Sequence, residues 1–407
     1  MAQRPERCHE PLKPERPPLE VADVLRRFGE AYRREYALTP EQEQVFRDLL
    51  ACRTELLGGH LDVCDRCGYT APSFNSCANR HCPKCQSYEQ AKWVTGRMQR
   101  ILPVPYFHVV FTVPHALNGL ARGNQRAFYS LLFQAASRTL LDLSADPDRL
   151  GAQPGATAVL HTWRRDLGYH PHVHCIVTGG GLALDGSSWV RPRYDGNFLF
   201  PVKVLSRLFR GKFLALLDRA VKDSRICLGG TDPSLESQAF AQLKDQLYRK
   251  EWVVYAKRPF AGPEQVFRYL GLYTHRVGIS NHRLLRMDAE SVTFATKDGG
   301  TVTVSGVEFL RRFFLHVLPK GFVKIRHYGL HAPGNATTRL EHARELLRQE
   351  GLEAARPEVP DSWAELVEKL IGSDPTRCPA CKEGTLVRFV MDMTTGELIS
   401  TLKEPDT

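Results

Sequence analysis

No run of about 18 apolar residues occurs in this sequence, so it has no segment that reads as a helix crossing a bilayer. The first twenty residues, MAQRPERCHEPLKPERPPLE, lack the apolar core that a signal peptide needs, and a cytoplasmic protein is expected. Internal repeats are missing too. Acidic residues are in the minority: 45 Asp and Glu face 55 Lys and Arg, a formal charge of +10. Such a balance favours a polyanionic partner such as nucleic acid, although a solvated surface with surplus arginine gives the same sum. In a reducing compartment the 11 cysteines are not expected to form disulfides, and clustered ones become metal-ligand candidates.

What is present is a globular composition. With 407 residues and 43% hydrophobic content the chain can build two to three domains around sizeable cores. Residues 1–20, rich in Pro, Arg and Glu, read as a flexible leader. Apolar periodicity from Val21 to Tyr36 predicts a helix, and Thr39-Pro40-Glu41 supplies the cap and first-turn proline of a second. Beyond Pro103 and Pro105, β-branched and aromatic content predicts strands at 106–113, 156–163 and 171–178, the last two as a hairpin. Helices are expected over 125–143, within 202–250, at 263–276 and at 306–317. A hairpin is expected around Lys297-Asp298-Gly299-Gly300, and a strand at 322–327.

Cys64-x2-Cys67 and Cys82-x2-Cys85 form two knuckles 14 residues apart, an arrangement that lets four thiolates enclose Zn²⁺. Four thiolates leave no position for water or substrate, so this zinc is expected to be structural. A second tetrad is arithmetically available from Cys52, His60, Cys77 and His81. Arg66, Arg80, Lys84 and Lys92 around the knuckles suit either DNA contact or a protein-interaction surface. Cys378-x2-Cys381 has no second knuckle nearby and stays unassigned, half of a site completed by Cys8, by another chain or by nothing.

His170-Pro171-His172-Val173-His174-Cys175 alternates with the period of a strand, so the imidazoles share one face and Pro, Val and Cys the other. A neighbouring strand carrying His161 would put His161, His172 and His174 around one ion, with positions left open for a substrate oxygen. His170 sits at the rim of that arrangement, and Asp166 is a weaker candidate for orienting a ligand imidazole. Further on, Tyr269 and Tyr273 are four apart and share a helix face with Gln265. Such a pair is usually core packing or an aromatic surface patch; as a nucleophile, a phenol needs a nearby cation such as a bound metal, His275 or Arg276.

Four stretches in this order resemble rolling-circle transposases of the insertion-sequence-91 type, members of the histidine-hydrophobic-histidine (HUH) endonuclease superfamily. They are Asn75 to Cys85, His170 to His174, Tyr269 to Arg276, and Arg326-His327-Tyr328-Gly329. The resemblance implies an α+β fold: an HUH-type catalytic domain with a central antiparallel sheet flanked by helices over 101–335, and a helical and zinc-binding module over 21–100. A C-terminal helical segment and CxxC tail would follow over 336–407.

It also implies Mg²⁺ or Mn²⁺ held by His172 and His174 against a scissile phosphate. His161 as third ligand accords with the relaxase-like arrangement in the superfamily. Tyr269 and Tyr273 would be the nucleophiles, giving a 5′-phosphotyrosine and a 3′-hydroxyl. Implied partners are single-stranded DNA at element ends and target DNA, with contacts from Arg276, Arg283, Arg311, Arg312, Lys324 and Arg326, and a nucleoid association through that DNA. Leu272 departs from the family pattern, where a basic residue is expected. The competing readings are a replication initiator or relaxase with the same chemistry, and a non-catalytic zinc-dependent DNA-binding protein.

Overall fold

The computed structural model describes residues 17–193, 198–229, 233–257, 278–296, 299–353, 358–391 and 398–400. They divide between two compact units, the first drawn from 1–92, 279–310 and 358–407, the second from 93–278 and 311–357. Among the described residues no helix is long and apolar enough to cross a membrane.

In the first unit, helix α1 (Val21–Glu35) buries Val21, Val24, Leu25, Phe28 and Tyr32 along one stripe. Helix α2 (Pro40–Ala51) starts where predicted: Thr39 accepts from the Gln42 amide, and the Gln42 side chain reaches back to the Thr39 amide. Strands β1 (Gly59–Cys64) and β2 (Thr70–Phe74) form a hairpin, and α3 (Gln86–Met98) follows the cysteine-rich loop.

The same unit takes in two segments from far along the chain. Strands β10 (Leu284–Met287), β11 (Ser291–Ala295) and β12 (Thr301–Ser305) form one antiparallel sheet. Strands β14 (Leu386–Met391) and β15 (Leu398–Ser400) extend the β1–β2 hairpin into a sheet of order β15-β14-β1-β2. The predicted hairpin at 291–305 is therefore present, with Ala295 opposite Thr301, while Lys297 and Asp298 lie outside the described residues. Helix α8 (Gly306–Phe314) begins against Phe28, where a Cβ on Gly306 would stand 2.2 Å from the ring. These contributions depart from the expectation of a continuous module over 21–100 and a separate tail. Strand pairing recruits distant segments, and local periodicity carries no information about partners.

The second unit is built on a five-stranded antiparallel sheet. Its strands are β3 (Tyr106–Thr112), β5 (Gly155–Trp163), β6 (Tyr169–Thr178), β9 (Val254–Lys257) and β13 (Ile325–Gly329), in the order β13-β5-β6-β3-β9. A small sheet of β4 (Ala152–Gln153), β7 (Gly181–Ala183) and β8 (Trp189–Val190) lies beside it in sequence. Helices α4 (Asn118–Gly123), α5 (Gln125–Ala145), α6 (Val202–Lys222) and α7 (Pro233–Arg249) contribute to a core on one face, with Phe111, Phe128, Phe209, Phe213 and Trp252 at its centre. Each such ring contributes about 1.5–3 kcal/mol by leaving water.

The opposite sheet face packs Val159, Ile176 and Tyr106 with Leu340, Ala343 and Leu347 of α9 (Arg339–Gln349). Helix α10 (Trp363–Ile371) belongs to the first unit. The α+β class, the central antiparallel sheet and its flanking helices are as the sequence reading expects. The helix expected at 263–276 lies outside the described residues.

Candidate functional site

Pleating alone explains the histidine face. Along β6, Val173 and Cys175 are buried in the helical core, while His172 and His174 alternate with them and stay half-buried on the other face. Antiparallel register sets His161 of β5 directly opposite His172, and Val159 opposite His174. The three imidazoles consequently converge. One donor nitrogen from each lies within 4.8 Å of the others, and ring centroids stand 4.2 Å apart for His161 and His174 and 4.9 Å for His172 and His174.

Two of these rings are oriented from behind. Nδ1–H of His172 donates to the His170 carbonyl at 2.7 Å, so the far nitrogen, Nε2, becomes the metal donor. Nδ1 of His174 lies 2.8 Å from Nε2 of His108, on adjacent β3, with the two rings stacked at 5.0 Å. Burial pulls the pKa of His172 down to about 4, so this imidazole is neutral and able to ligate across the physiological range. Trp163 stacks on His161 at 4.7 Å. The donor set therefore fits one divalent cation. His170 is half-buried beside His172, and its ring is outside the converging set. Asp166 caps its own turn, accepting from Gly168 N–H at 3.0 Å and from Arg164, which occupies the carboxylate expected to orient a ligand imidazole.

His316 braces the end of this hairpin. Its Nε2–H donates to the Leu167 carbonyl at 2.9 Å and its Nδ1 accepts from Thr162 Oγ1 at 3.1 Å, so the neutral ring is fully satisfied. Burial holds its pKa near about 4. The unfolded chain, with an ordinary value near 6.5, binds this proton more readily, so stability is lost as pH falls below about 6.5. Urea unfolding at pH 5 should show a cost of about 2 kcal/mol from this one ring relative to pH 7. His316→Gln should flatten that part of the pH dependence; an unchanged slope would remove His316 as its source.

The cysteines combine differently from the expected Cys64, Cys67, Cys82 and Cys85. Cys82 and Cys85 join Cys52, at the end of α2, and Cys77. Cys64 and Cys67, at the tip of the β1–β2 hairpin, join Cys378 and Cys381. Within each tetrad all four sulfurs lie within 4.8 Å of one another. Strand β2 separates the two knuckles along the chain, and the β1–β14 pairing brings the tail to the first of them. His60 lies within β1 between Ser73 and Val390, and His81 is buried nearby; neither belongs to a tetrad.

Tyr269, Tyr273 and Arg276 lie outside the described residues. Most of the other basic residues expected at DNA have structural engagements. Arg283 donates from Nε to the Ala295 carbonyl at 2.7 Å, Arg312 to the Asp166 carbonyl at 2.9 Å, and Lys324 is buried just before β13, where its carbonyl accepts from the Leu160 amide at 2.9 Å. Arg311 is half-buried on α8. Arg326 lies over Phe133 at 4.4 Å, yet also lines a cleft of about 820 Å³ with Arg126, Arg225, Ser130, Gln134 and Tyr328.

His327 and Gly329 of the same stretch are architectural. His327 Nδ1 meets Thr157 Oγ1 at 3.0 Å, its Nε2 meets Arg97 at 3.0 Å, and a Cβ on Gly329, at φ +59°, would stand 1.9 Å from the Pro154 carbonyl. Sequence reasoning missed His108 and the Arg126–Arg225 cleft. A lone histidine in a hydrophobic strand and scattered arginines give no local signal.

Comparison with known proteins places these features in a pattern. Residues 24–113 match the family model of the transposase zinc-binding domain, and residues 155–339 match a model described as "Putative transposase". A Sinorhizobium fredii protein named "Putative transposase y4qJ" is 44% identical over 386 residues, covering 93% of this chain and 96% of its own length. The transposase for insertion sequence element IS801 of Pseudomonas savastanoi pv. phaseolicola is 27% identical over 349 residues, covering 82% of this chain and 80% of its own. Among solved structures, the N-terminal nuclease domain of the minute virus of mice non-structural protein 1 aligns with 63% of this chain and 98% of its own. At 11% identity and a TM-score of 0.22, that likeness is too weak to bear on the fold.

Proposed function

The chain belongs to the insertion-sequence-91 family of transposases and carries that family's zinc-binding domain, and on that premise we propose that it cuts and rejoins single-stranded DNA through a tyrosine nucleophile, by the rolling-circle route. The observation that carries this reading is the triad of imidazole donors within 4.8 Å of one another on paired strands. His161, His172 and His174 would hold Mg²⁺ or Mn²⁺, which supplies Lewis-acid polarisation of the scissile phosphate and offsets its charge.

The remaining roles fall to the protein. Tyr269 attacks phosphorus: its phenol gives up its proton to solvent as a bond from the phenolic oxygen forms, the P–O3′ bond breaks, and the 3′ oxygen takes up a proton from solvent. One phosphoester replaces another, so a strand's 3′-hydroxyl can reverse the step and rejoin DNA. Tyr273 would serve a second transfer. Arg126, Arg225 and Arg326 line a cleft suited to phosphates of the bound strand. Strand ends of the element and target DNA are the substrates.

The direct test incubates the protein with a labelled single-stranded oligonucleotide from the element's end and Mg²⁺. A protein–DNA adduct surviving denaturant is expected, and EDTA should suppress it. Cleavage indifferent to EDTA would end the metal assignment.

His108 is the positioning residue in this scheme. With the metal on Nε2 of His174, Nδ1 must carry the proton, and His108 Nε2 is the acceptor 2.8 Å away. His108→Phe keeps an aromatic ring beside His174 but removes the acceptor. Mn²⁺ affinity, measured by calorimetry, should fall about 10–100-fold; unchanged affinity would mean that the contact is packing alone.

A further inference from the structure

We propose that the two ends of the chain are joined through a second structural zinc, bound by Cys64 and Cys67 from one end and Cys378 and Cys381 from the other. The family model of the zinc-binding domain ends at residue 113 and does not include the tail cysteines. This inference is independent of the cleavage chemistry.

Distances favour a metal over bare thiols. Cys64 Sγ stands 3.8 Å from Cys381 Sγ, and Cys67 Sγ 3.7 Å from Cys378 Sγ. A disulfide needs about 2.05 Å. A tetrahedron with Zn–S bonds of about 2.3 Å has edges of about 3.8 Å, which is the separation of these two pairs, and all four sulfurs lie within 4.8 Å of one another.

The two CxxC segments also share a local geometry. After Cys67, Gly68 adopts φ +72° and its amide donates to the Cys64 carbonyl at 3.3 Å. After Cys381, Lys382 adopts φ +59° and its amide donates to the Cys378 carbonyl at 3.0 Å. Backbone amides face the sulfurs in both: Arg66 N–H and Cys67 N–H donate to Cys64 Sγ at 3.4 and 3.5 Å, and Gly384 N–H donates to Cys381 Sγ at 3.3 Å. Such donors favour thiolates over thiols, and thiolates are the form that binds zinc. A left-handed residue follows the second cysteine in both segments, and at Lys382 it is a non-glycine residue, which is uncommon and marks a second built knuckle.

The surroundings hold the knuckles in register. Strand β14 pairs with β1 from Gly59 opposite Met391 to Cys64 opposite Leu386. Arg388 grips Asp62 through two bonds at 2.7 and 3.1 Å, Thr385 N–H donates to Asp65 at 2.8 Å, and Arg66 pairs with Glu383. Gly384 comes so near the opposite knuckle that a Cβ there would stand 2.5 Å from Cys64 Sγ.

Full-length protein carrying His172→Ala and His174→Ala, which remove the imidazole site as a competing zinc ligand set, should contain two zinc ions per chain by elemental analysis. Cys378→Ser with Cys381→Ser should reduce the content to one, because Cys52, Cys77, Cys82 and Cys85 form the other tetrad without them. A single zinc in that histidine-substituted background, or a content left unchanged by the two serine substitutions, would overturn the proposal.

Alkylation of the unsubstituted protein decides the matter even if the variant misfolds. Cys67 and Cys227 are both exposed, and only Cys67 belongs to a tetrad. In zinc-loaded protein N-ethylmaleimide should label Cys227 readily and Cys67 at least tenfold more slowly, with the protection lost when a chelator strips the metal. Equal labelling of the two in zinc-loaded protein would refute the site.

Discussion

Replacing His172 and His174 together by alanine should lower the rate of single-strand cleavage by at least about 10³-fold, to the level of a metal-free reaction. Lewis-acid stabilisation of a phosphoryl-transfer transition state supplies several kcal/mol, and about 4 kcal/mol corresponds to a thousandfold in rate. One imidazole, His161, remains in the double variant, too few donors to hold an ion against water. The change is local in the fold. Both side chains sit half-buried on the face of β6 turned away from the helical core, while the strand's hold on that core comes from Val173, Cys175 and Val177 on the other face. Circular dichroism should therefore match the wild type, and the zinc of the cysteine tetrads should be retained, since they use none of these residues. Cleavage that survives in the double variant with undiminished Mn²⁺ affinity would place the metal elsewhere.

The second large effect concerns the nucleophile. Tyr269→Phe with Tyr273→Phe should eliminate the denaturant-resistant adduct, because a phenylalanine ring has no oxygen to bond to phosphorus. Binding of the oligonucleotide, measured by gel shift, should change little, since neither hydroxyl is assigned a role in holding phosphate. The single variants separate the roles: Tyr269→Phe should abolish the first cleavage, and Tyr273→Phe should leave that cleavage and impair the following transfer. An adduct persisting in the double variant would move the chemistry to another phenol. Tyr255 is the informative control. It is half exposed on β9, opposite Val110, which in turn lies opposite His174, so it shares the sheet face of the triad.

Much of the candidate site was legible because strand geometry is local. A period of two over His170 to Cys175 specifies which side chains share a face, and the short connection to β5 makes a hairpin the natural partner. His161, His172 and His174 follow from those two facts, and the structure brings them together. The capped start of α2 and the 291–305 hairpin were readable for the same reason. What local pattern does not encode is the identity of more distant neighbours. His108 stands 66 residues from His174 and enters only because β3 pairs with β6. Lys324, Arg283 and Arg312 looked like surface charges in sequence, and their burial or engagement depended on contacts that composition does not reveal.

The cysteines show the division most clearly. Sequence alone determined that thiols occur in CxxC knuckles and that such knuckles bind zinc, because two cysteines at that spacing can aim at one ion within a single tight turn. Tertiary structure decided which knuckles share an ion. Cys67 and Cys378 are 311 residues apart, yet their sulfurs are neighbours because β14 completes the sheet begun by β1. Closing a loop costs free energy that rises only slowly with its length, so separation along the chain says little about which ends will meet. Strand pairing settles the choice, and it is a property of the folded sheet.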